Sequence, residues 1–369
     1  MKIQTESATK TANIIIDFFS NIDRIDDYFR LRKIERVKDL PVPIPGFGLE
    51  DDMFQNYDMH PEDMDIEVAQ IDNQTFNAML EKVASFSPDQ APGKELKLVV
   101  KEKKTNTLLG FIKLGSPIIN SKPRNNYLGD VPELTIFNQR AIMGFVIVPV
   151  QPFGYNYLGG KLMALICTSH KVREMLNDKY ETEFCLFETT SLYGNIKGMS
   201  MYDGLKPFLR FKGDTESKFV PTLGEEAYAS CKKIIEDDVQ GEIIHKDASS
   251  RKLKITTKMI SLIKSSLKET DMELHDKFVS AIKKAESVTT QKRFYMSDYG
   301  YENTRDVLLG KTETLIKGPN YHKHDLENII SWWKRKASSR YNKLKSEDRI
   351  REELEVWNAD TMNKIDIIR

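Results

Sequence analysis

The chain has 369 residues, which exceeds one average domain and predicts either two domains or a core domain with large additions. Its 55 lysines and arginines balance 55 aspartates and glutamates, so the formal net charge is zero. This balance excludes a global field that would attract nucleic acid or an anionic membrane, and any such binding must come from a local patch of charge.

The cysteines and the apolar runs indicate where the protein works. Three cysteines, Cys167, Cys185 and Cys231, are too few and too scattered for a disulfide framework, which favours a reducing compartment. The apolar run at residues 14–19 is interrupted by Asp17 and lacks the small-residue cleavage site of a signal peptide. No stretch reaches transmembrane length. We therefore expect a cytoplasmic protein with no membrane partner.

Residues 1–90 predict an N-terminal region that is helical and extended. Apolar residues at helical spacing between residues 11 and 38 indicate one or two amphipathic helices. Three alternating prolines exclude a helix from residues 39–48 and predict an extended connector. Eight acidic residues crowd residues 50–67, where a solvated surface is the simplest interpretation and a site for a hard cation is the alternative. Residues 75–85 predict a further helix.

Residues 91–240 predict a core domain that is organised around one β-sheet. Residues 96–100 and 108–114 have the composition of a β-hairpin, and a polar loop follows at residues 115–130. A short, β-branched apolar run at residues 144–149, stopped by proline, predicts a buried strand.

A glycine-containing loop and a buried helix follow this strand. Residues 151–160 hold three glycines, and residues 161–167 are apolar and free of helix breakers. The first turn of a helix has backbone N–H groups without an intrahelical partner, and the helix dipole favours an anion there. Glycine lets the backbone approach that anion closely. A second strand is predicted at residues 183–190, and a tyrosine-bearing segment follows at residues 199–208.

This order of strand, loop, helix, strand and tyrosine-bearing segment resembles the acyl-CoA-binding half of a GNAT N-acetyltransferase. The resemblance implies an α+β fold with a GNAT-like mixed β-sheet flanked by helices, an N-terminal helical extension and a C-terminal helical region. It also implies acetyl-CoA or another acyl-CoA as cofactor. The residues that would hold this cofactor are Val148, Gln151, Gly154, Asn156, Gly159, Gly160 and Lys161.

The same resemblance suggests an acid and a base for acyl transfer. Tyr202 falls where the tyrosine general acid of the family stands, and a phenol can donate a proton to a leaving thiolate. Glu188, near the end of the second central strand, is the candidate base for the attacking amine. The structural alternatives are that Tyr202 is a core tyrosine, that Glu188 bonds a neighbouring loop, and that the glycines allow close helix–strand packing.

A second resemblance is to the DruA family of the Druantia anti-phage system. It rests on Asn-Tyr-Leu-Gly-Gly-Lys-Leu at residues 156–162, Leu-Phe-Glu-Thr-Thr at residues 186–190 and Gly-Met-Ser-Met-Tyr at residues 198–202. This resemblance implies a role in conflict between phage and host. A phage or mobile-element origin, with the host cytoplasm as location, is compatible with it.

Residues 241–369 predict a helical, locally basic C-terminal region. The strongest charge feature is a helix predicted at residues 331–351, where eight cations face two carboxylates. Cations interleaved with aromatic residues can bind phosphates and stack on bases. In the alternative interpretation, apolar residues pack on the body and the lysines are simply solvated. The candidate nucleic-acid contacts are Lys334, Arg335, Lys336, Arg340 and Lys343, and the candidate packing residues are Ile329, Ile330, Trp333, Ala337, Tyr341 and Leu344.

Other chemistries find no support in the sequence. The six histidines show no helix-borne metal spacing, and Cys-x-x-Cys, the Gly-x-Ser-x-Gly elbow and the Walker loop are absent, so we expect no metal, hydrolase triad or NTPase.

Two hypotheses for the function remain. The first is an acyltransferase that moves an acyl group from acyl-CoA to an amine, which Tyr202 and Glu188 favour. The second is a GNAT-like sheet without catalysis that binds nucleic acid or a protein partner, which Leu158 favours because the GNAT loop has a glycine there.

Overall fold

A computed structural model describes residues 2–38, 50–86, 93–216, 222–243, 251–288 and 291–367. The chain divides into two compact units, which are described separately. A helical unit comprises Met1–Asp39, Ser217–Thr290 and Asp366–Arg369, and a sheet unit comprises Leu40–Glu216 and Gln291–Ile365. The extended connector predicted at residues 39–48 lies outside the described residues.

Seven strands and fourteen α-helices form in the described residues. The strands are β1 (Ile66–Gln70), β2 (Glu95–Glu102), β3 (Thr107–Gly115), β4 (Ala141–Pro149), β5 (Leu186–Ser191), β6 (Arg210–Asp214) and β7 (Arg293–Ser297). The helices are α1 (Thr5–Ser20), α2 (Ile25–Lys38), α3 (Asn73–Val83), α4 (Lys122–Leu128), α5 (Leu134–Arg140), α6 (Phe153–Tyr157), α7 (Gly159–Cys167), α8 (His170–Tyr180), α9 (Leu192–Ile196), α10 (Glu225–Val239), α11 (Arg251–Thr270), α12 (Met272–Glu286), α13 (Thr304–Leu308) and α14 (Leu326–Ser346).

The helical unit is assembled around α1. Ala8, Ala12, Ile15 and Phe19 recur at helical spacing and are fully buried. They form the face on which α10, α11 and α12 pack, while α2 contacts α10. The amphipathic helices predicted for residues 11–38 are confirmed as the pair α1 and α2.

The sheet unit holds one mixed sheet with the strand order β1-β2-β3-β4-β5-β7-β6. All neighbouring strands are antiparallel except β4 and β5, which run parallel. The predicted hairpin is confirmed as β2 and β3, with Glu95 opposite Gly115 at its open end. The protein is therefore an α+β fold with a seven-stranded mixed sheet flanked by helices.

Helices cover both faces of the sheet. Adjacent residues of a strand point to opposite faces, and Val99 and Val100 of β2 accordingly enter different apolar clusters. Val99 packs in the cluster that holds Phe76 of α3, whereas Val100 packs in the larger cluster with Met163 of α7 and Trp333 of α14. Because helices cover both faces, β2 and β3 are buried along most of their length.

The predicted succession of strand, loop, helix and strand is present as β4, α6, α7 and β5, but a second helix, α8, which was not predicted, lies between α7 and β5. The loop is more ordered than expected, because residues 153–157 form the short helix α6. Leu158 ends α6 and begins α7 in a left-handed conformation with φ of 55°, a conformation that a glycine adopts more readily.

Three other predicted stretches differ from the structure. The polar loop predicted at residues 115–130 contains α4, which has Pro123 in its first turn and ends at the left-handed Gly129. The acidic stretch at residues 50–67 runs into β1, an edge strand whose Ile66 is buried. The region after residue 240, predicted to be mostly helical, contributes β7 to the sheet between β5 and β6.

The last helix ends earlier than predicted, at Ser346. Asp348 adopts a left-handed conformation with φ of 53°. The N–H of Arg349 then donates to the carbonyl of Leu344 at 2.8 Å, which is the closing bond of a Schellman motif. Arg349 and Arg351 consequently lie in the segment after α14. Within the described ranges, every helix is too short or too polar to span a lipid bilayer.

Candidate functional site

The candidate base Glu188 is buried in β5 and paired with an arginine. Its Oε1 and Oε2 lie 3.0 and 3.3 Å from Nη1 of Arg124, and neither side chain is exposed to solvent. Burial raises the pKa of Glu188 to about 7, against the opposing effect of the guanidinium. Arg124 also donates to the carbonyls of Ile118 and Ile119 and stacks on Phe137 at 4.0 Å. Glu188 thus anchors α4 and the preceding loop to the sheet.

The candidate acid Tyr202 lies in the apolar core. Its ring packs edge-on against Tyr295 at 5.3 Å, and Tyr295 lies opposite Thr189 in the pairing of β7 with β5. Burial raises the pKa of Tyr202 above the ordinary phenol value. Because Glu188 and Thr189 are adjacent in β5, their side chains point to opposite faces of the sheet. The structure therefore does not bring Tyr202 and Glu188 together.

The three loop glycines face side chains of the protein itself. A methyl group added to Gly159 would lie 2.6 Å from the Phe153 ring. At Gly160 the same methyl group would lie 2.7 Å from the sulfur of Met201, and at Gly154 it would lie 2.5 Å from the Gln151 amide. These glycines permit close packing against Phe153, Met201 and Gln151, whereas the structural alternative expected them to allow close packing of a helix on a strand.

The remaining predicted cofactor residues are engaged in internal contacts. The side-chain amide of Asn156 is buried and bonds both backbone groups of Arg351, donating at 2.8 Å and accepting at 3.1 Å. Gln151 accepts from the backbone N–H of Tyr155, and Val148 pairs with β3. Lys161 donates to the carbonyl of Asp203 at 2.8 Å, and burial lowers its pKa.

The basic helix α14 packs one face on the sheet unit. Its buried residues recur at helical spacing, which confirms the packing predicted for this helix. Trp333 is fully buried and its indole N–H donates to the carbonyl of Tyr157 at 2.9 Å. The packing residues are Ile329, Trp333, Ala337, Tyr341 and Leu344, which are buried, and Ile330, which is partly buried.

The predicted nucleic-acid contacts divide between different sides of α14. Lys334 donates to the carbonyl of Glu62, beside an acidic segment that also approaches Lys345. Arg335 is exposed and points outward. Lys336, Arg340 and Lys343 follow each other at helical spacing on the other flank. We call the cationic surface formed by Lys161, Lys336, Arg340, Lys343, Arg349 and Arg351 the basic flank.

Tyr155 of α6 joins the two parts of this flank, and no sequence pattern pointed to it. Nε of Arg340 donates to the Tyr155 carbonyl at 3.3 Å, and Nη2 of Arg349 donates to the Tyr155 hydroxyl at 3.2 Å. The guanidinium groups of Arg340 and Arg351 lie 4.6 and 3.9 Å from the centre of the Tyr155 ring. Positions 155 and 340 are too far apart in sequence for any periodic pattern to connect them.

Counter-charges on the basic flank are few. Glu347 pairs with Arg349 at 2.7 Å and approaches Lys343 at 3.9 Å, and Glu355 pairs with Arg351 at 3.1 Å. Within the residues that the structure describes, Lys336 and Arg340 form no ion pair. Across the same described ranges, no group of three or more His, Cys, Asp and Glu residues converges as metal ligands would.

The geometry defines an α+β protein with a mixed sheet and a cationic flank beside the connection from β4 to α7. Residues 49–200 match the family model described as Druantia protein DruA, a span of less than half of the chain. The match supports the predicted similarity to DruA and includes β1 to β5, Arg124, Glu188 and Tyr155, but stops before Tyr202 and α14. No curated protein and no solved structure matches the chain.

Proposed function

We propose that this protein binds nucleic acid through the basic flank and acts in conflict between phage and host as a DruA-like protein. The observation that carries the proposal is the concentration of six cations around Tyr155 and α14 in a chain of zero net charge. Because the phosphate backbone dominates nucleic-acid affinity, a local cluster suffices without a global positive charge. The role in conflict rests on the similarity of residues 49–200 to DruA.

We also propose a GNAT-like sheet as the scaffold. In support of this, β4 and β5 are parallel neighbours, and their connection begins with α6 and α7 before it passes through α8, so it includes the strand, loop and helix that resemble the acyl-CoA-binding half of that family. A GNAT-like scaffold does not decide the function, because one fold hosts many activities.

Acyl transfer is the less supported alternative. Direct transfer needs an acid and a base beside one donor, and Tyr202 and Glu188 lie on opposite faces of β5. The loop glycines are covered by Phe153, Met201 and Gln151, so an anion would have to displace these side chains before it met the backbone.

The proposal is tested by titrating labelled 30-base single-stranded and duplex oligonucleotides, DNA and RNA, at several salt concentrations. The variant Lys336→Ala/Lys343→Ala removes two charges from the basic flank. We expect it to lower the slope of log affinity against log salt by about 1.8 for a duplex, or about 1.4 for a single strand. The matched control Lys334→Ala/Lys345→Ala removes two charges from the same helix on its other side, and we expect it to leave affinity within about twofold, because neither side chain belongs to the flank.

Two results would contradict the proposal. Equal losses in the two double variants would assign binding to net charge, and no binding at low salt would exclude nucleic acid as partner. A parallel titration with acetyl-CoA tests the alternative. Micromolar binding that is lost in Gly160→Glu would instead support an acyltransferase.

A further inference from the structure

The basic flank contains one place where cations are held in fixed orientations. Lys336 and Lys343 on the flank are exposed, whereas around Tyr155 three arginines contact one aromatic side chain. A tyrosine ring attracts guanidinium groups to its face, and a phenol oxygen accepts hydrogen bonds from them. The Tyr155 side chain therefore gathers positive charge that would otherwise repel itself.

Arg340 is oriented by two contacts. Its Nε donates a hydrogen bond to the Tyr155 carbonyl at 3.3 Å, and its guanidinium lies 4.6 Å from the centre of the Tyr155 ring. No ion pair with the described residues occupies its terminal nitrogens. A guanidinium held at Nε and open at Nη1 and Nη2 presents the two donors that match a phosphate oxygen pair.

Arg349 and Arg351 are fixed by partners of their own. Arg349 is held between Glu347 at 2.7 Å and the Tyr155 hydroxyl at 3.2 Å. The backbone of Arg351 is bonded on both sides by the buried Asn156 amide, and its guanidinium lies 3.9 Å from the Tyr155 ring. These contacts already restrict the arginine rotamers in the free protein. Less side-chain entropy is therefore lost on binding.

The electrostatics of Tyr155 agree with this arrangement. Partial burial raises its pKa, but the hydrogen bond from Arg349 and the charges of Arg349, Arg340 and Arg351 outweigh that effect, so the pKa lies below the ordinary phenol value. The guanidinium groups around Tyr155 therefore favour negative charge at its hydroxyl.

We propose that Arg340, Arg349 and Arg351 form a clamp for one backbone phosphate of a nucleic-acid strand, with Tyr155 as the residue that positions them. This inference rests on the proposed nucleic-acid binding and adds a specific contact to it. Arg340 supplies the bidentate pair of donors, and the other two arginines supply charge around it.

The test compares two charge-conserving substitutions on one helix. Arg340→Lys keeps the charge but loses the fork and the contact with the Tyr155 carbonyl, so we expect about tenfold weaker oligonucleotide binding with an unchanged salt slope. Arg335→Lys, at an exposed position on the outward side of α14, is the matched control and should leave affinity within about twofold. Tyr155→Leu should weaken binding as Arg340→Lys does, while Tyr155→Phe, which keeps the ring, should lose less.

Each failure has its own signature. If the wild-type protein binds no oligonucleotide, the proposed function fails. If it binds and the affinity of Arg340→Lys equals that of Arg335→Lys, the proposed nucleic-acid binding stands and the proposed clamp is wrong. If CoA displaces the oligonucleotide from the wild-type protein but not from Arg340→Lys, and binds more tightly than the strand does, the clamp takes a phosphate from a small molecule and its assignment to a strand is overturned. Thermal melting of every variant verifies that the sheet unit is folded.

Discussion

Replacing Arg124 with methionine is expected to destabilise the sheet unit by about 3–5 kcal/mol at neutral pH, because removing one partner of a buried ion pair leaves an uncompensated charge. Both side chains of the Arg124–Glu188 pair are fully buried. The substitution also removes the donor for the Ile118 and Ile119 carbonyls, at about 1 kcal/mol each.

The loss should depend on pH in a defined direction. Burial already raises the pKa of Glu188 to about 7 with the arginine in place, and removing the arginine raises it further. The folded-state pKa then lies above the unfolded value of 4.5, so the contribution of the neutral carboxyl is present below pH 4.5 and is lost as pH rises. Arg124→Met should therefore be closer to the wild-type stability at pH 5 than at pH 8.

Urea denaturation followed by tryptophan fluorescence measures this effect selectively. The three tryptophans, Trp332, Trp333 and Trp357, all belong to the sheet unit, so their signal reports on that unit. Arg124→Met/Glu188→Leu contains no buried charge and should recover at least about 2 kcal/mol relative to Arg124→Met. Arg140→Met, which breaks a pair with the exposed Glu183 outside the core, is the control and should cost about 1 kcal/mol.

A loss of less than about 1 kcal/mol of unfolding free energy in Arg124→Met would refute the reasoning. So would a loss in Arg124→Met/Glu188→Leu that equals the sum of the losses in Arg124→Met and Glu188→Leu measured separately. Either result would mean that the pair is not coupled in the folded protein. Glu188 would then not be needed as an ion-pair partner and could be considered as a base again.

Three further predictions concern stability. His170 accepts from Nε of Arg173 at 3.2 Å and donates to the Tyr321 carbonyl, and burial lowers its pKa to about 4. The free energy of unfolding should therefore fall by up to about 3 kcal/mol as pH drops from 6.5 to 4. Acid titration of His170→Gln should show a shallower fall, and an identical fall would contradict this prediction. Gly159→Ala should cost about 1–3 kcal/mol by urea denaturation because the new methyl group meets the Phe153 ring. The control Gly198→Ala has open space around it and should cost only the strain of its positive φ, about 1 kcal/mol. Equal losses in the two variants would exclude the steric cause. Asp348→Gly should raise stability by up to about 1 kcal/mol because glycine suits the left-handed residue after α14, and a rise in melting temperature would verify it.

Local patterns of sequence were enough to predict the elements with strong periodicity. The helices α1 and α2, the hairpin of β2 and β3, and the succession from β4 through α7 to β5 all have apolar patterns that express burial directly. The family similarity of residues 156–162 and 186–190 was also legible in the sequence, and both segments fall inside the span that matches DruA.

The missed elements depend on partners that are distant in sequence. β7 has only five residues, and it is a strand because β5 and β6 bond to its two edges. α4 is short and polar, and Arg124 within it is buried because Glu188 neutralises it from 64 positions away. Propensity cannot reveal such pairs, since tertiary contacts override it.

The same limitation applied to the candidate site. Tyr202 and Glu188 are near one another in the chain, but the side of the sheet on which each lies depends on contacts with Tyr295 and Arg124. The cations of α14 were evident as a charge run, whereas the sorting of Lys334 from Arg340 required the positions of Glu62 and Tyr155.

The hydrogen bond from Trp333 to Tyr157, together with the pairing of β5 and β7, sets a lower limit on the folding unit around the DruA-like span. A fragment restricted to residues 49–200 would expose one edge of β5 and leave the buried carbonyl of Tyr157 and both amide atoms of Asn156 without their partners. The part of the chain that carries the family likeness is therefore only part of the sheet unit, and residues 201–216 together with those from β7 to Ile365 complete that unit.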